Sequence, residues 1–201
     1  MKKKLKNTVK KRIPSPDMNE QEQLKLKGML LNFLFSKFIK SPNKESYFEV
    51  RSALITSNFY NPYSDELSEI DELIKDDKLI KAYKTLKNIP NLLLSPNAHL
   101  TIAFIADKLN NKDESEMEIF IAKTCCDGIL ATGDGSMDNP YIVVRISDEY
   151  DILQYLNKHF ASQQLLNLSE NKHFDKITCE DNTEIWFDIT DAVLSISKEI
   201  R

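Results

Sequence analysis

Glycine is almost missing from this chain: there are four in 201 residues, and three of them, Gly128, Gly133 and Gly135, crowd into one neighbourhood. Glycine is where a backbone adopts positive φ or is approached closely, so conformational freedom is concentrated there. Cysteine is equally sparse. Cys125, Cys126 and Cys179 make an odd count, two of them adjacent and none in a Cys-x-x-Cys pair, which excludes a disulfide framework and points to reduced thiols on core faces. His99, His159 and His173 stand far apart without companions at helical spacing, and no Gly-x-Ser-x-Gly elbow is present. Zinc binding and nucleophilic catalysis therefore lack their usual parts. Long apolar runs are absent too, since no window approaches the roughly 18 apolar residues of a membrane span. The first apolar stretch, Met29 to Phe35, comes late and is broken by Asn32, so no secretory leader is expected and the protein is placed in the cytoplasm.

Acidic residues are missing from the first dozen positions. Residues 2–12 hold seven basic side chains (Lys2, Lys3, Lys4, Lys6, Lys10, Lys11, Arg12), which leaves 20 basic against 31 acidic residues over 13–201, a net of −11. Such a basic cluster beside an acidic body has the footprint of a segment that grips anionic lipid or nucleic acid. The commoner role is a disordered, solvated leader, here residues 1–17 running through Pro14-Ser15-Pro16, and the acidic body would itself repel a nucleic-acid backbone. Nucleic acid is accordingly not expected as a partner.

What is present is periodicity, of two kinds. Leu26, Met29, Leu30, Phe33, Leu34 and Phe38 fall at three- and four-residue spacing and predict a helix with one apolar stripe, closed by Lys37, Lys40 and Ser41-Pro42. A second helix is expected from Lys44 to about Phe59, and shorter helical pairs over 65–88 and 96–130, with Ser95-Pro96 as a strong start for one of them. The 96–130 pair is similar to a tetratricopeptide hairpin in its small residues Ala103, Ser115 and Ala122. It departs from that family with His99 where Trp is usual and Ala106 where Tyr is usual. One degenerate hairpin and a possible second fall short of the three repeats an array needs.

From Pro140 the period changes. Tyr141 to Ile146 is β-branched and apolar, predicting a buried strand. Ser147 is then positioned to cap a helix with Asp148 and Glu149 in its first turn. Alternating segments at 164–168, 174–179 and 184–189 predict a three-stranded meander. The expected fold is α+β: a leader over 1–17, then a single domain over 18–201 with a helical part at 18–132 and a strand-rich, mostly antiparallel part at 139–193.

Gly-Asp-Gly-x-x-x-x-Pro-Tyr-x-Val at 133–143, then Asp148-Glu149-Tyr150, then Phe187-Asp188-Ile189: this order resembles an uncharacterised bacterial family known only as a domain of unknown function. The resemblance covers roughly residues 65–190. It implies helical hairpins before the Gly-Asp-Gly segment and a short sheet after it, and it supplies no activity. Some members are exported, whereas this sequence shows no leader of that kind.

The candidate site follows from the same segment: Gly133, Asp134, Gly135, Asp138, Pro140 and Tyr141, as either a ligand loop or a structural one. Phosphate binding fails on order, because the glycines follow a helix and precede a strand, so no helix N-terminus points into the loop. Asp134, Ser136 and Asp138 alternate as calcium ligands do, yet an EF-hand would need glycine at Asn139 and an acid at Arg145. A helix stop with Gly133 in the left-handed conformation and the two acids bonding local amides is the simpler role. Asp127 beside Cys126 disfavours a thiolate. Asp148-Glu149 reads as a solvated helix start, and Trp186 as a packing residue. No catalytic residue, metal or cofactor is assigned. The expectation is a non-enzymatic interaction protein that meets a protein partner through helical grooves, and the alternative is a small ligand-binding or enzymatic domain centred on Gly133–Tyr141.

Overall fold

The computed structural model describes residues 19–169 and 171–199, with side chains through Ser195; the leader expected over 1–17 lies outside the described residues. Helices α1 (Glu20–Lys40), α2 (Lys44–Ile55), α3 (Glu66–Lys75), α4 (Leu79–Leu86), α5 (Pro96–Lys108) and α6 (Lys112–Leu130) come first. Then follow β1 (Tyr141–Ile142), α7 (Asp148–Tyr155), β2 (Phe160–Ser169), β3 (Lys172–Cys179), β4 (Glu184–Asp188) and α8 (Thr190–Glu199). Caps set several boundaries. Asn19 accepts from Glu22 N, Asn43 forms a reciprocal box with Ser46, and Ser95 accepts from Ala98 N just ahead of Pro96.

Helices α3–α4 and α5–α6 pack as two hairpins, at the two places where short helical pairs were expected. The sheet has the order β1-β4-β3-β2: β2, β3 and β4 form the expected antiparallel meander, and β1 joins β4 in parallel, making the sheet mixed. One core lies between this sheet and α1, α2, α6 and α7, built on Phe38, Tyr47, Leu54, Ile129, Ile152, Ile177 and Phe187. A smaller one, centred on Ile70, Leu86 and Ile105, fills α3, α4 and α5. His99 ties the first core's helices together. Its ring stacks on Phe35 at 5.7 Å, Nδ1 meets Glu118 Oε2 at 2.6 Å, and Nε2 lies 3.0 Å from the Leu93 carbonyl, which only accepts, so that nitrogen carries a hydrogen.

Several expectations are corrected. The strand predicted over Tyr141–Ile146 ends at Ile142. Its remaining backbone finds partners in side chains instead of a ladder: Arg51 donates to Val143 O, Tyr60 to Val144 O, and Asp148 Oδ2 accepts from the amides of Val144 and Arg145. Ser147 makes no capping bond, because Asp148 does the local bonding. Strand β2 begins at Phe160, four residues ahead of the expected segment at 164–168, and α8 was not foreseen.

The stripe read on α1 is also divided. Leu31 and Phe38 are buried, with Leu34 and Phe35 against the core, whereas Leu26, Met29, Leu30 and Phe33 face outward. Apolar residues occupy most of the circumference between 29 and 35, so spacing alone does not choose the inner face.

Arg145, expected on a strand, is buried and fixes the entry to α3. Its guanidinium donates to Ser64 O and Ser64 Oγ, both at 2.9 Å. Asn91, also buried, donates to Asn61 O, Ser64 Oγ and Glu66 Oε2 and accepts from Asn61 N. Asn91→Ala removes all four bonds and strands buried partners, so it is expected to lower unfolding free energy by about 2 kcal/mol, read from the urea midpoint at unchanged slope.

Candidate functional site

The Gly133–Tyr141 segment is stitched to itself and to the sheet. Asp134 N and Gly135 N both donate to Asn139 O, at 2.9 and 3.2 Å, closing the loop. Asp134 Oδ1 accepts from Ser136 N at 2.9 Å, and the hydrogen bonds from Ser136 hold its carboxyl below the ordinary range. Gly135 O accepts from Trp186 N on β4, and the Ile142 amide donates to Thr132 Oγ1 at 2.8 Å. The left-handed residue is Gly135, at φ 76°, and not Gly133. Gly133 is required for a different reason, since a Cβ there would lie 2.3 Å from Pro140 O and 2.4 Å from Asn139 O.

Of the residues singled out, Asp134 and Asp138 are exposed, Pro140 is half-buried, and Tyr141 packs its ring 6.0 Å from that of Phe187. Asp138 makes no side-chain hydrogen bond among the described residues. The six do not converge: two turn to solvent and the others hold a turn to a sheet edge. Trp186 is half-buried and lies opposite Lys176 in the register, on the other face of β4 from the core residues Ile185 and Phe187.

Chemistry is concentrated elsewhere, at the carboxyls read as a solvated helix start. Asp148 and Glu149 are completely buried. Glu149 is hydrogen-bonded to Asp175, which is also buried, and Gln163 Nε2 donates to both, at 3.2 Å to Glu149 Oε2 and 2.6 Å to Asp175 Oδ2. Tyr150 Oη donates back to Gln163 Oε1 at 3.0 Å. Burial, and then the Asp175 charge, push the Glu149 carboxyl up to about 9, so at neutral pH it carries the proton that the pair shares. Burial pushes Asp148 up to about 7. Asp175 borders a cavity of about 380 Å³ with Tyr63, Ile146, Gln163, Leu165, Ile189 and Val193, whereas Asp148 and Glu149 are enclosed. Asp175 and Gln163 had no signal in the sequence, because they come from neighbouring strands and meet α7 only in three dimensions.

A groove of about 350 Å³ runs between α5, α6 and α7. Pro96 and Leu100 form one wall, Ile119, Ala122, Lys123 and Cys126 the floor and second wall, and Asp151, Gln154 and Tyr155 the end. Leu100 and Ile119 are 43 % and 50 % exposed, and Phe104, one turn beyond Leu100, continues the apolar row at 47 %. Ala98, Ile102 and Ile105 on the same helix point inward, so α5 carries two apolar rows. Asp151 accepts from Asn97 N at 3.2 Å, and burial pushes its carboxyl up to about 6. Burial likewise pushes the Cys126 thiol up to about 12, so it contributes to the groove as a small apolar side chain. Among the described residues, no group of three or more His, Cys, Asp or Glu is arranged to hold a metal ion.

No protein-family model, no curated protein and no solved structure matches the chain.

Proposed function

We propose that this protein is a non-enzymatic interaction module whose helical half docks an apolar segment of a protein partner in the groove between α5, α6 and α7. The observation that carries this is the outward apolar row Leu100/Phe104, set across an open groove from Ile119 and ending at the part-buried carboxylate of Asp151. Apolar side chains of this size exposed in a contiguous row mark a surface that a partner covers, and a groove gives them depth as well as area. An amphipathic helix with one basic residue placed for Asp151 suits this shape and charge. What speaks against a ligand site at Gly133–Tyr141 is that its acids are exposed and its backbone groups are committed to one another and to β4.

The test is site-specific. A photo-crosslinking amino acid at Leu100 is expected to trap a partner that the same probe at exposed Glu184, on the far sheet, does not. Leu100→Asp with Ile119→Asp is expected to lower capture at least tenfold with the melting temperature within a few degrees of the parent, because both side chains are half exposed already. Equal trapping from both positions, or undiminished capture by the double variant, would refute the groove as the docking site.

A further inference from the structure

We infer that the cavity bordered by β2, β3 and the start of α8 is a binding site for a primary alkylammonium group, seated on the carboxylate of Asp175. The site is separate from the groove of α5, α6 and α7 and does not depend on it. Ile146, Leu165, Ile189 and Val193 make an aliphatic wall, and the volume of about 380 Å³ falls at the lower end of small-molecule pockets, about 300–1,000 Å³. Asp175 lines the same space and is 4 % exposed. An aliphatic enclosure with one buried carboxylate selects a ligand that has an apolar stem and a cationic head.

Two deficits in the buried polar groups identify that head. The first is charge. Glu149 and Asp175 share one proton and keep one negative charge, and the charges that reach Glu149 are those of other carboxylates, Asp175 and Asp148. The basic side chains on the surrounding elements are committed elsewhere: Arg51 to Asp191 and Val143 O, Arg145 to Ser64, Lys176 to Glu184, and His173 to Asn167. A buried charge without a partner is costly, so a single positive charge is favoured here. The second deficit is in hydrogen-bond donors. Gln163 Nε2 commits its two hydrogens to Glu149 Oε2 and Asp175 Oδ2, and Glu149 Oε1, fully buried, has no partner. An ammonium brings three donors. Tyr63, also on the lining, makes no side-chain hydrogen bond among the described residues, and burial and then the charges of Asp175 and Glu149 hold its hydroxyl above the ordinary value, which places it in the field of the same pair. A guanidinium fits less well, because its fork needs both oxygens of a carboxylate and Gln163 already holds Asp175 Oδ2. A divalent metal ion needs more oxygen ligands, and no three His, Cys, Asp or Glu are so arranged among the described residues.

The experiment is calorimetric titration of the full chain at neutral pH with n-butylammonium, and with n-butanol as the uncharged probe of the same stem. Butylammonium is expected to bind at least about tenfold more tightly than butanol. A short peptide with one lysine and blocked ends separates the sources of the head: binding at least as tight as that of butylammonium assigns it to a partner's lysine, weaker binding to a free amine, and either supports the site. Asp175→Asn keeps the shape and removes the charge, so it is expected to lower butylammonium affinity at least about tenfold. Glu149→Gln leaves that charge and a donor for it, and is expected to bind within about threefold of the parent. Leu165→Trp narrows the cavity from a position that is 59 % exposed, so it is expected to weaken butylammonium about tenfold with an unchanged circular dichroism spectrum, which keeps the test decisive if Asp175→Asn does not fold. Equal affinity for the two probes, or no binding of butylammonium at millimolar concentration, would overturn the inference. Full binding by Asp175→Asn or Leu165→Trp would do the same. So would loss of binding by Glu149→Gln, since the charge that holds the ligand would then lie on Glu149.

Discussion

Gly133→Ala is expected to lower the melting temperature by about 6–12 °C, a loss of about 3 kcal/mol, whereas the neighbouring Asp134→Ala lowers it by only about 2–4 °C. The difference is set by what each residue meets. A methyl at Gly133 collides with two backbone carbonyls, Pro140 O at 2.3 Å and Asn139 O at 2.4 Å, and neither can rotate away as a side chain would. Moving them breaks the bonds from Asp134 N and Gly135 N to Asn139 O, and shifts the start of β1. Asp134 loses only exposed turn bonds, those from Ser136 and Asn139. Gly28→Ala supplies the opposite sign. No atom lies within 4 Å of a Cβ added there, in the middle of α1, so the change is expected to stabilise by about 0.5–1 kcal/mol through helix propensity. Thermal unfolding of the three variants side by side tests the loop as a joint. A Gly133→Ala protein as stable as the parent would show that the carbonyls yield freely and that the glycine is not required by packing.

The sequence's two rhythms placed most elements but not their faces. The helical pairs at 65–88 and 96–130, the meander and the joint at Gly133–Tyr141 were legible because local spacing and turn chemistry specify them. The inner face of α1 was not legible: with Met29-Leu30-Leu31 and Phe33-Leu34-Phe35 wrapping the helix, only the position of α2 and α5 decides which row is buried. The same ambiguity concealed the outward row on α5, which became part of the groove. Strand β1 stopped early for a related reason, since the partners of Val143 and Val144 are Arg51, Tyr60 and Asp148, the first two distant in sequence and invisible to a local pattern. Asp148 and Glu149 carried a helix-start signal that is correct for position and wrong for environment. A first-turn acid reads the same whether its helix begins in water or beneath a sheet.

That environment has a thermodynamic consequence that reaches across the working pH range. Glu149 loses its proton near 4.5 when exposed, yet holds it to about 9 in the folded protein. Between those values the native state binds more protons than the unfolded state, so stability falls as pH rises, by up to about 1.4 kcal/mol per unit from this one group. Asp148 adds to the slope between its ordinary value of 3.8 and about 7, and Asp151 between 3.8 and about 6, both through burial. The protein is therefore expected to be most stable in mild acid and to weaken steadily toward pH 9. Below pH 4 the sign reverses, as Glu114, held low by its hydrogen bonds from Lys87 and Tyr83, takes up a proton and releases them. Glu149→Gln isolates the main contributor. The amide keeps a donor for Asp175 and nearly the same volume but has nothing to titrate, so the variant is expected to match the parent within about 1 kcal/mol at pH 5 and to exceed it by about 3 kcal/mol at pH 8. Glu149→Ala, which removes the donor and leaves a void, is expected to be weaker than the parent at pH 5. Urea unfolding at the two pH values decides it. If the parent's stability is level from pH 5 to pH 9, or if Glu149→Gln keeps the parent's slope, the carboxyl is already ionised in the fold and the shared proton with Asp175 does not exist.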